Sequence, residues 1–345
     1  MAARAAPVTM RDVSAMAGVS ISTVSHVLNG TRAVPEPTRA RVLEAIDAIG
    51  YMPNAIARSL KRAESRTLGL LIGDIGNPYF TDVVHALEAG ARSAGYTIVL
   101  SDIGEDPERE MAALRALIGQ RVGGLILAPS AVGGVAAIAY ARRHKVPVVQ
   151  IDRVAVPECD YVVARNSADM RRLVRHLASL GHRRIGLLTG VAGLSTSRER
   201  ATGYRAGLRD AGLPVDPTLM ISGDFRMEPA RQATHALMER AAPPTAIVAG
   251  NNLMALGAMR ALHERGCRVP ADVALASFDD FEWADLFQPR LTTIAQPCRR
   301  IGEVAMELLL ARIAAPDAPP RGVRLATTLQ HRESCGCAAG AGPIR

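Results

Sequence analysis

The feature of this chain that most constrains its fold is a long alternation of apolar runs with helical stretches, which begins at Thr67. The first series contains the runs TLGLLIGDI, YTIVLSD, GGLILA and PVVQID, with helices predicted near 78–94, 107–120 and 133–144. The second contains DYVVA, RIGLLTG, TLMISG, TAIVAG and DVALASF, with helices predicted near 167–180, 198–211, 227–241 and 252–265. Buried strands that alternate with helices indicate parallel sheets covered on both faces. Two such series predict two doubly wound α/β lobes. The run LTTIAQP and the helix predicted after Pro297 indicate a return crossing of the chain from the second lobe to the first.

Composition and charge narrow the class of protein. The 345 residues are enough for more than one domain, and 48% hydrophobic with 21% charged residues is typical of a soluble globular protein. The net charge of +8 favours an anionic partner. Residues 1–64 hold eight Lys/Arg against five Asp/Glu, so the positive charge is denser at the N-terminus.

Five scattered cysteines, Cys159, Cys267, Cys298, Cys335 and Cys337, favour reduced thiols in a cytoplasm over a disulfide framework. Cys335 and Cys337 are separated by a single residue, which is a shorter sequence spacing than that of ordinary zinc ligands. No paired Cys/His cluster is evident beside them. We interpret them as thiols of a flexible tail over 335–345. We expect no metal site and no cofactor.

Residues 122–141 carry no charge and reach membrane-spanning length. Pro129, Ser130 and the glycines of this run predict a buried strand, a turn and an alanine-rich helix, so we expect no membrane segment. The N-terminus lacks the apolar region of a secretory signal. These features favour a cytoplasmic protein.

The stretch Thr9 to Leu28 predicts a helix, a tight turn and a second helix. Thr9 with Asp12 fits a capping box, Gly18 ends the first helix, and Ser20 begins the second. The predicted inward residues are Val13, Met16, Ala17, Val24, Val27 and Leu28. This leaves Ile21, Ser22, Ser25 and His26 on the outer face, which suits a DNA major groove. An ordinary helical hairpin is the alternative.

A third helix is predicted from Pro35 to about Ile49, ended by Gly50. Its predicted packing face consists of Val42, Leu43, Ile46 and Ile49. After it, NAIARSLK predicts a short helix that is unstable alone in water. It fits either a linker with a stray leucine or a hinge that drives Leu60 between base pairs as a minor-groove wedge.

Several ordered motifs resemble one family. VSISTVSHVLNG, with MRDVSAMAG before it and NAIARSL after it, is similar to the headpiece of the lactose-repressor (LacI/GalR) family of bacterial transcription regulators. The similarity continues through IGDIGNPYF, GHRRIGLLTG, RATGY, SFDD and PRLTTI, and so covers nearly the whole chain. It implies an all-α helix-turn-helix headpiece and a two-lobed core resembling periplasmic sugar-binding proteins. The boundaries we predict are a disordered start (1–8), a DNA-binding domain (9–52), a hinge helix and linker (53–65), a core (66–334) and the tail.

The resemblance also implies a function: a repressor of a carbohydrate catabolic operon that binds a pseudo-palindromic operator in the nucleoid. No leucine heptads follow Leu329, so a homodimer is expected. The base-reading positions are Ile21, Ser22 and His26. The positions expected at the DNA backbone are Thr23, Ser25, Asn29, Tyr51, Asn54 and Arg58. Ala57 and Leu60 match the minor-groove wedge.

Polar residues at strand ends are candidates for an effector site, since ligands bind beyond the carboxyl ends of parallel strands. They are Asp74, Asn77, Ser130, Asp152, Arg153, Asn251, Asn252, Asp279 and Asp280. Each has an alternative role as a cap or turn residue.

The resemblance sharpens this set. Arg200 and Asp279 match the family's most frequent effector ligands, with a structural salt bridge as the alternative. Further matches are the aromatic positions Tyr79, Phe80 and Phe225 and the polar positions Ser130, Asp152 and Thr196. Arg165, Asn252 and Ser277 stand where the family usually has other residues, and two carboxylates are thereby lost. We therefore expect a sugar-like effector, with a sugar acid or sugar phosphate as a hypothesis and a nucleobase as the alternative.

Two other functional classes are disfavoured. The chain lacks the GxSxG, GxxxxGK, HExxH and GxGxxG signatures, so an enzyme with catalytic residues is not expected. A transport solute-binding protein would need export, and its core would not explain residues 9–62.

Overall fold

The computed structural model describes residues 8–51 and 65–337. The chain divides into two compact units, Met1–Ser65 and Arg66–Arg345. Asn54, Ala57, Arg58 and Leu60, and with them the predicted hinge, lie outside the described residues.

Within residues 8–51 the N-terminal unit forms three helices, α1 (Met10–Ala17), α2 (Ile21–Asn29) and α3 (Glu36–Ile49). The Asp12 carboxylate accepts hydrogen bonds from the backbone N–H and the hydroxyl of Thr9, both at 2.7 Å, at the start of α1. Gly18 ends α1 at φ 63°, and Ser20 Oγ accepts from Thr23 N at 3.1 Å to begin α2. The predicted caps are therefore confirmed.

The core of this unit differs from the prediction at two positions. Val13, Ala17, Val24, Val42 and Ala45 are buried and form its centre. Met16 is 57% exposed and Leu43 is 42% exposed, so both assignments to the packing face are wrong. On α1 the inward positions are taken by the smaller residues Val13 and Ala17, and on α3 by Val42 and Ala45.

The first lobe is a six-stranded parallel sheet in the order β11-β5-β4-β3-β1-β2. Its strands are β1 (Thr67–Ile72), β2 (Thr97–Asp102), β3 (Gly124–Leu127), β4 (Val148–Ile151), β5 (Asp160–Ala164) and β11 (Gly322–Leu325). Helices α4 (Pro78–Ser93) and α11 (Cys298–Ala314) pack on one face. Helices α5 (Pro107–Gly119) and α6 (Gly134–Arg143) pack on the other.

The second lobe repeats this plan in the order β12-β10-β9-β8-β6-β7, with only β12 antiparallel. Its strands are β6 (Ile185–Thr189), β7 (Met220–Ser222), β8 (Ala246–Ala249), β9 (Ala274–Phe278), β10 (Thr292–Ala295) and β12 (Thr328–Gln330). Helices α7 (Asn166–Ser179) and α8 (Ser195–Asp210) cover one face. Helices α9 (Met227–Met238) and α10 (Asn252–Glu264) cover the other.

The chain passes between the lobes three times within residues 65–337. DYVVA, predicted in the second series, is β5 and pairs with β4 of the first sheet, so the first crossing comes one element later than predicted. The return crossing is confirmed, because α11 follows β10 and packs in the core of the first lobe. β11 was not predicted, since this edge strand alternates half-buried and exposed residues.

The C-terminal segment packs against the second lobe. Cys335 is fully buried, and Ser334 Oγ donates to the Leu275 carbonyl at 2.6 Å. The flexible tail predicted from residue 335 is therefore wrong at its start. The uncharged run 122–141 forms β3 and α6, and no helix among the described residues is long and apolar enough to cross a membrane.

Close packing of α7 on α8 generates a stability prediction. A Cβ at Gly203 would lie 2.2 Å from the Ser167 carbonyl oxygen and 2.9 Å from Met170 Cβ. Gly203→Ala is expected to lower the free energy of unfolding by about 1–3 kcal/mol, because the helices must move apart.

Gly119→Ala is the matched control, since nothing lies within 4 Å of its added Cβ. It is expected to raise the stability by about 0.5–1 kcal/mol. Urea unfolding followed by circular dichroism measures both, and equal midpoints for the two variants would contradict the packing argument.

Candidate functional site

A cavity of about 470 Å³ lies between the two lobes, at the carboxyl ends of their strands. It brings together seven of the ten predicted effector residues, Tyr79, Phe80, Asp152, Thr196, Arg200, Phe225 and Asp279. Four strand-end candidates, Asp74, Asn77, Arg153 and Asn251, also line it.

Arg200 supplies the buried cation of the second lobe. Its side chain is 5% exposed on α8, and its Nε donates to Asn166 Oδ1 at 2.9 Å. Its Nη1 donates to the Gly250 carbonyl and lies 3.7 Å from Asp279 Oδ2. The guanidinium carbon lies 3.8 Å from the centroid of the Phe278 ring. These contacts fix the direction of the guanidinium before any ligand arrives.

Asp279 faces Arg200 from the end of β9. Gln296 Nε2 donates to its Oδ1 at 2.6 Å, and the side chain is 5% exposed. Burial raises the pKa of Asp279, and the nearby Arg200 guanidinium and the Gln296 hydrogen bond only partly offset this. A hydroxyl group that donates to this carboxylate would replace hydration that burial has removed.

Arg153 supplies the buried cation of the first lobe. Its Nη1 and Nη2 donate to the two Glu105 carboxylate oxygens, each at 2.7 Å, and its Nε donates to Asp152 Oδ2 at 2.9 Å. Burial alone would lower the pKa of Arg153, but the two carboxylates outweigh it and raise the pKa. The guanidinium is thus occupied by protein partners.

Glu105 was missed by the sequence analysis, as were Asp102, Arg109, Asp224 and Arg226, which also line the cavity. The strand-end rule applies equally to the segment after β2, and would have found Asp102 and Glu105 had it been used there.

Backbone strain is concentrated at this cavity. Seven residues other than glycine have positive φ among those described, and five of them line the cavity: Glu105, Asp152, Asp224, Phe225 and Asp279. A left-handed conformation costs such residues free energy, and it persists where the surrounding structure holds it. The cavity therefore has a preformed shape.

Two hydroxyl groups at the cavity have unused hydrogen-bonding capacity. Tyr79 Oη and Thr196 Oγ1 are buried and have no partner within residues 8–51 and 65–337. Burial, followed by the charge of Asp152, raises the pKa of Tyr79 well above its usual value, so its hydroxyl remains protonated. A bound ligand would satisfy these groups.

Three predicted effector residues do not line the cavity. Ser130 donates its hydroxyl to the buried carboxylate of Glu110. Arg165 is exposed to solvent just before α7. Asn252 Nδ2 donates to Asn77 Oδ1 at 2.9 Å and so joins the lobes. Each of these side chains is exposed or bonded to protein, and their assignment to the effector site stays a prediction.

The candidate DNA-reading residues lie on α2. Ile21 is 44% exposed, and Ser22 is also exposed. His26 is half-buried, and its Nδ1 lies 2.8 Å from Thr31 Oγ1. This contact orients the ring.

The predicted backbone-contact residues lie around the same helix. Thr23 Oγ1 is 2.8 Å from Ser20 Oγ, and Asn29 Nδ2 donates to the Ser25 carbonyl at 2.8 Å. Tyr51 is half-buried and packs against the core of the N-terminal unit.

Known proteins resemble this chain over most of its length. Residues 9–54 match the family model for bacterial regulatory proteins of the lacI family, and residues 174–335 match that of the periplasmic binding protein-like domain. The chain is 37% identical over 306 residues to the HTH-type transcriptional repressor PurR of Photobacterium profundum, covering 88% of this chain and 92% of that protein. The chain belongs to the LacI family.

Two further members of the family are similar to this chain over nearly its whole length. The ribose operon repressor of Escherichia coli (strain K12) is 35% identical over 327 residues, which cover 94% of this chain and 99% of that repressor. The lac repressor dimer bound to operator and the anti-inducer ONPF matches with a TM-score of 0.85 and 30% identity, over 96% of this chain and 99% of that chain. Family membership confirms the predicted architecture and identifies a transcription regulator rather than an enzyme.

The hydrogen bond from Ser130 to Glu110 gives a testable prediction about the stability of this LacI-family regulator. Ser130→Ala removes a donor from Glu110, whose pKa burial raises, and leaves that buried carboxyl group short of a partner. We expect the free energy of unfolding to fall by about 1–3 kcal/mol, with effector affinity unchanged.

Ser197→Ala is the control, because Ser197 Oγ is buried without a hydrogen-bond partner in the described part of the chain. Its effect on unfolding is expected to stay below about 0.5 kcal/mol. Weakened effector binding in Ser130→Ala, with stability retained, would return Ser130 to the effector site.

Proposed function

We propose that this chain is a cytoplasmic, nucleoid-bound repressor that binds a pseudo-palindromic operator as a homodimer and responds to an uncharged monosaccharide in the cavity between its lobes. The observation that carries the effector class is the pairing of Arg200 with Asp279 across the cavity from Asp152. Beside them are the hydroxyls of Tyr79 and Thr196, which have no hydrogen-bond partner in the described part of the chain. Carboxylates accept from sugar hydroxyls while a guanidinium donates to them, and hydroxyls do both.

The charges that line the cavity favour a neutral effector over an acidic one. Six carboxylate residues line it, Asp74, Asp102, Glu105, Asp152, Asp224 and Asp279, against four arginines, Arg109, Arg153, Arg200 and Arg226. Arg153 is already occupied by Glu105 and Asp152. Arg165, on which the sugar-acid hypothesis partly rested, is outside the cavity. An anion would therefore meet six carboxylates, while one of the four arginines is already neutralised by protein partners.

The apolar part of the cavity suits a flat or ring-shaped ligand. Phe80 and Phe225 line it from opposite lobes, and an aromatic face stacks on the C–H face of a sugar. The same rings would stack on a planar base, so a nucleobase is the second candidate. Asp152 and Asp279 favour the sugar, because two carboxylates match a ligand with several hydroxyl donors.

Contacts between the lobes offer a route from effector to DNA. Asn252 joins Asn77, Ser195 Oγ accepts from Val154 N at 2.9 Å, and Arg324 Nη2 lies 3.0 Å from Glu199 Oε1. Each of these pairs links the first lobe to the second. A ligand that binds one lobe arrangement better than another shifts the population between them, and this shift would change the affinity for the operator.

The effector class is tested by calorimetry and thermal shift with uncharged pentoses and hexoses, their acids and phosphates, and nucleobases. We expect an uncharged monosaccharide to bind and to stabilise the protein. Arg200→Ala is expected to weaken that binding about 10- to 100-fold, because a charged hydrogen bond is lost. Arg165→Ala, the matched control, is expected to leave affinity unchanged.

Several outcomes would contradict this proposal. Binding of a sugar acid or phosphate in preference to the uncharged sugar would do so, and so would a nucleobase that binds alone. Arg200→Lys, with unfolding measured in the absence of ligand, separates loss of binding from loss of fold.

For DNA, we propose that Ile21, Ser22 and His26 read base edges while Thr23, Ser25, Asn29, Tyr51, Asn54 and Arg58 contact the backbone, with Ala57 and Leu60 as the minor-groove wedge. The orientation of His26 supports its role. When the Thr31 hydroxyl donates to His26 Nδ1, Nε2 carries the hydrogen and can donate to a guanine acceptor. Ile21 is exposed and can contact a thymine methyl.

Gel-shift titrations on operator variants test these roles. His26→Ala is expected to relax specificity at one base position, by about 1–3 kcal/mol of discrimination. Arg58→Ala is expected to weaken all sites alike and to flatten the salt dependence, since a phosphate contact is lost. Equal losses on every base variant for His26→Ala would contradict the base-reading role.

A further inference from the structure

A second group of polar side chains lies in the second lobe, away from the cavity between the lobes. It consists of His176 near the end of α7 and of His331, Cys335 and Cys337 in the C-terminal segment. None of the four lines the effector cavity. The sequence analysis expected no metal site because no paired Cys/His cluster was evident beside the two cysteines, and the fold brings His176 to His331 and Cys337.

The distances within this group are those of a compact ligand set. Potential ligand atoms of His176, His331 and Cys337 all lie within 4.8 Å of one another. His176 Nε2 is 3.4 Å from Cys335 Sγ, which is 3.1 Å from Cys337 Sγ. Zinc bond lengths of about 2.0–2.3 Å place neighbouring ligand atoms of a tetrahedron about 3.3–3.8 Å apart. Movements of a few tenths of an ångström to about one ångström would complete that geometry.

The hydrogen-bonding state of the group also points to a ligand. Both ring nitrogens of His331 are buried and have no partner among the residues that the structure describes. Both thiols are directed at one acceptor, the Arg332 carbonyl, at 3.4 and 3.1 Å. An imidazole nitrogen without a hydrogen-bond partner can offer its lone pair to a cation.

A positive charge near His331 is itself compensated. The Arg172 guanidinium is close enough to His331 to interact with it electrostatically, and its Nη2 lies 3.2 Å from Asp169 Oδ1. Gly336, between the two cysteines, has φ 83°, a conformation that glycine adopts at little cost and that turns both thiols to one side.

We propose that His176, His331, Cys335 and Cys337 form a closed zinc site of two nitrogen and two sulfur ligands. This donor set is the one that structural Zn²⁺ prefers, and four protein ligands leave no open position for chemistry. The ion would tie the C-terminal segment to α7, which covers one face of the second lobe. Both thiols give up a proton to the solvent on binding, so no oxidant or reductant is needed.

The test is a titration of the full-length protein, reduced and stripped of metal with a chelator, with Co²⁺ as the spectroscopic probe. We expect one Co²⁺ per chain, with visible bands of a tetrahedral site and a thiolate-to-metal charge-transfer band, all abolished by Zn²⁺. Zn²⁺ is expected to raise the thermal midpoint of the same protein.

Variants assign the ligands. Cys337→Ser and His331→Ala are expected to weaken Co²⁺ binding at least about 100-fold and to remove the thermal shift, since even outer-shell changes cost 10- to 100-fold. Cys267→Ser is the matched control with unchanged binding, because Cys267 packs in a different core cluster and is outside the group.

Two results would overturn the proposal. One is a Co²⁺ spectrum without thiolate bands, or one that survives in both ligand variants. The other is a protein that, after purification under reducing conditions, still takes up no Zn²⁺ and instead forms a Cys335–Cys337 disulfide, recognised by the loss of two hydrogens in its mass. Circular dichroism of each variant confirms that the fold is retained, so that loss of binding reports on the ligands.

Discussion

Two buried guanidinium groups determine how the polar end of each lobe is built. Burying a cation is costly unless carboxylates and hydrogen-bond acceptors surround it. Arg153 is therefore enclosed by Glu105 and Asp152, and Arg200 by Asn166, Gly250 and Asp279. The three carboxylate residues all adopt positive φ, a strain that the surrounding sheets maintain. The cleft is thus rigid where it is charged, and a ligand meets groups that are already oriented.

These two clusters differ in what they leave free. Arg153 makes two hydrogen bonds to Glu105 and one to Asp152, which makes it a structural anchor at the edge of the cavity. Arg200 donates to Asn166 and its guanidinium packs on the Phe278 ring. Its Nη1 lies 3.7 Å from Asp279 Oδ2, just beyond hydrogen-bonding distance. A ligand hydroxyl between Arg200 and Asp279 would bond to both. The specificity that we propose thus depends on the second lobe more than on the first.

Much of the fold and part of the site could be predicted from the sequence. The strand-end rule found Asp152, Arg153 and Asp279 because the carboxyl ends of parallel strands converge, and the family resemblance added Arg200, Thr196 and Phe225. Ser130 and Asn252 also stand at strand ends but do not line the cavity, because strand position does not determine which partner a side chain reaches. The edge strand β11 was missed since it lacks a continuous apolar run, and DYVVA was misplaced because local pattern does not show where a chain crosses between lobes. Proximity of His176 to Cys335, 159 positions apart, is likewise a product of the tertiary fold.

Because the chain crosses between the lobes three times, the two lobes are not completed one after the other during synthesis. The first lobe takes five strands, β1 to β5, from one continuous stretch, but its helix α11 and edge strand β11 are made only after almost all of the second lobe. Until residues 298–325 leave the ribosome, the apolar face formed by Leu87 and Val83 of α4 has no covering helix. Domains generally fold as units during synthesis. In this protein neither effector-binding half is a contiguous segment, so the binding cleft becomes available only when nearly the entire polypeptide has been translated.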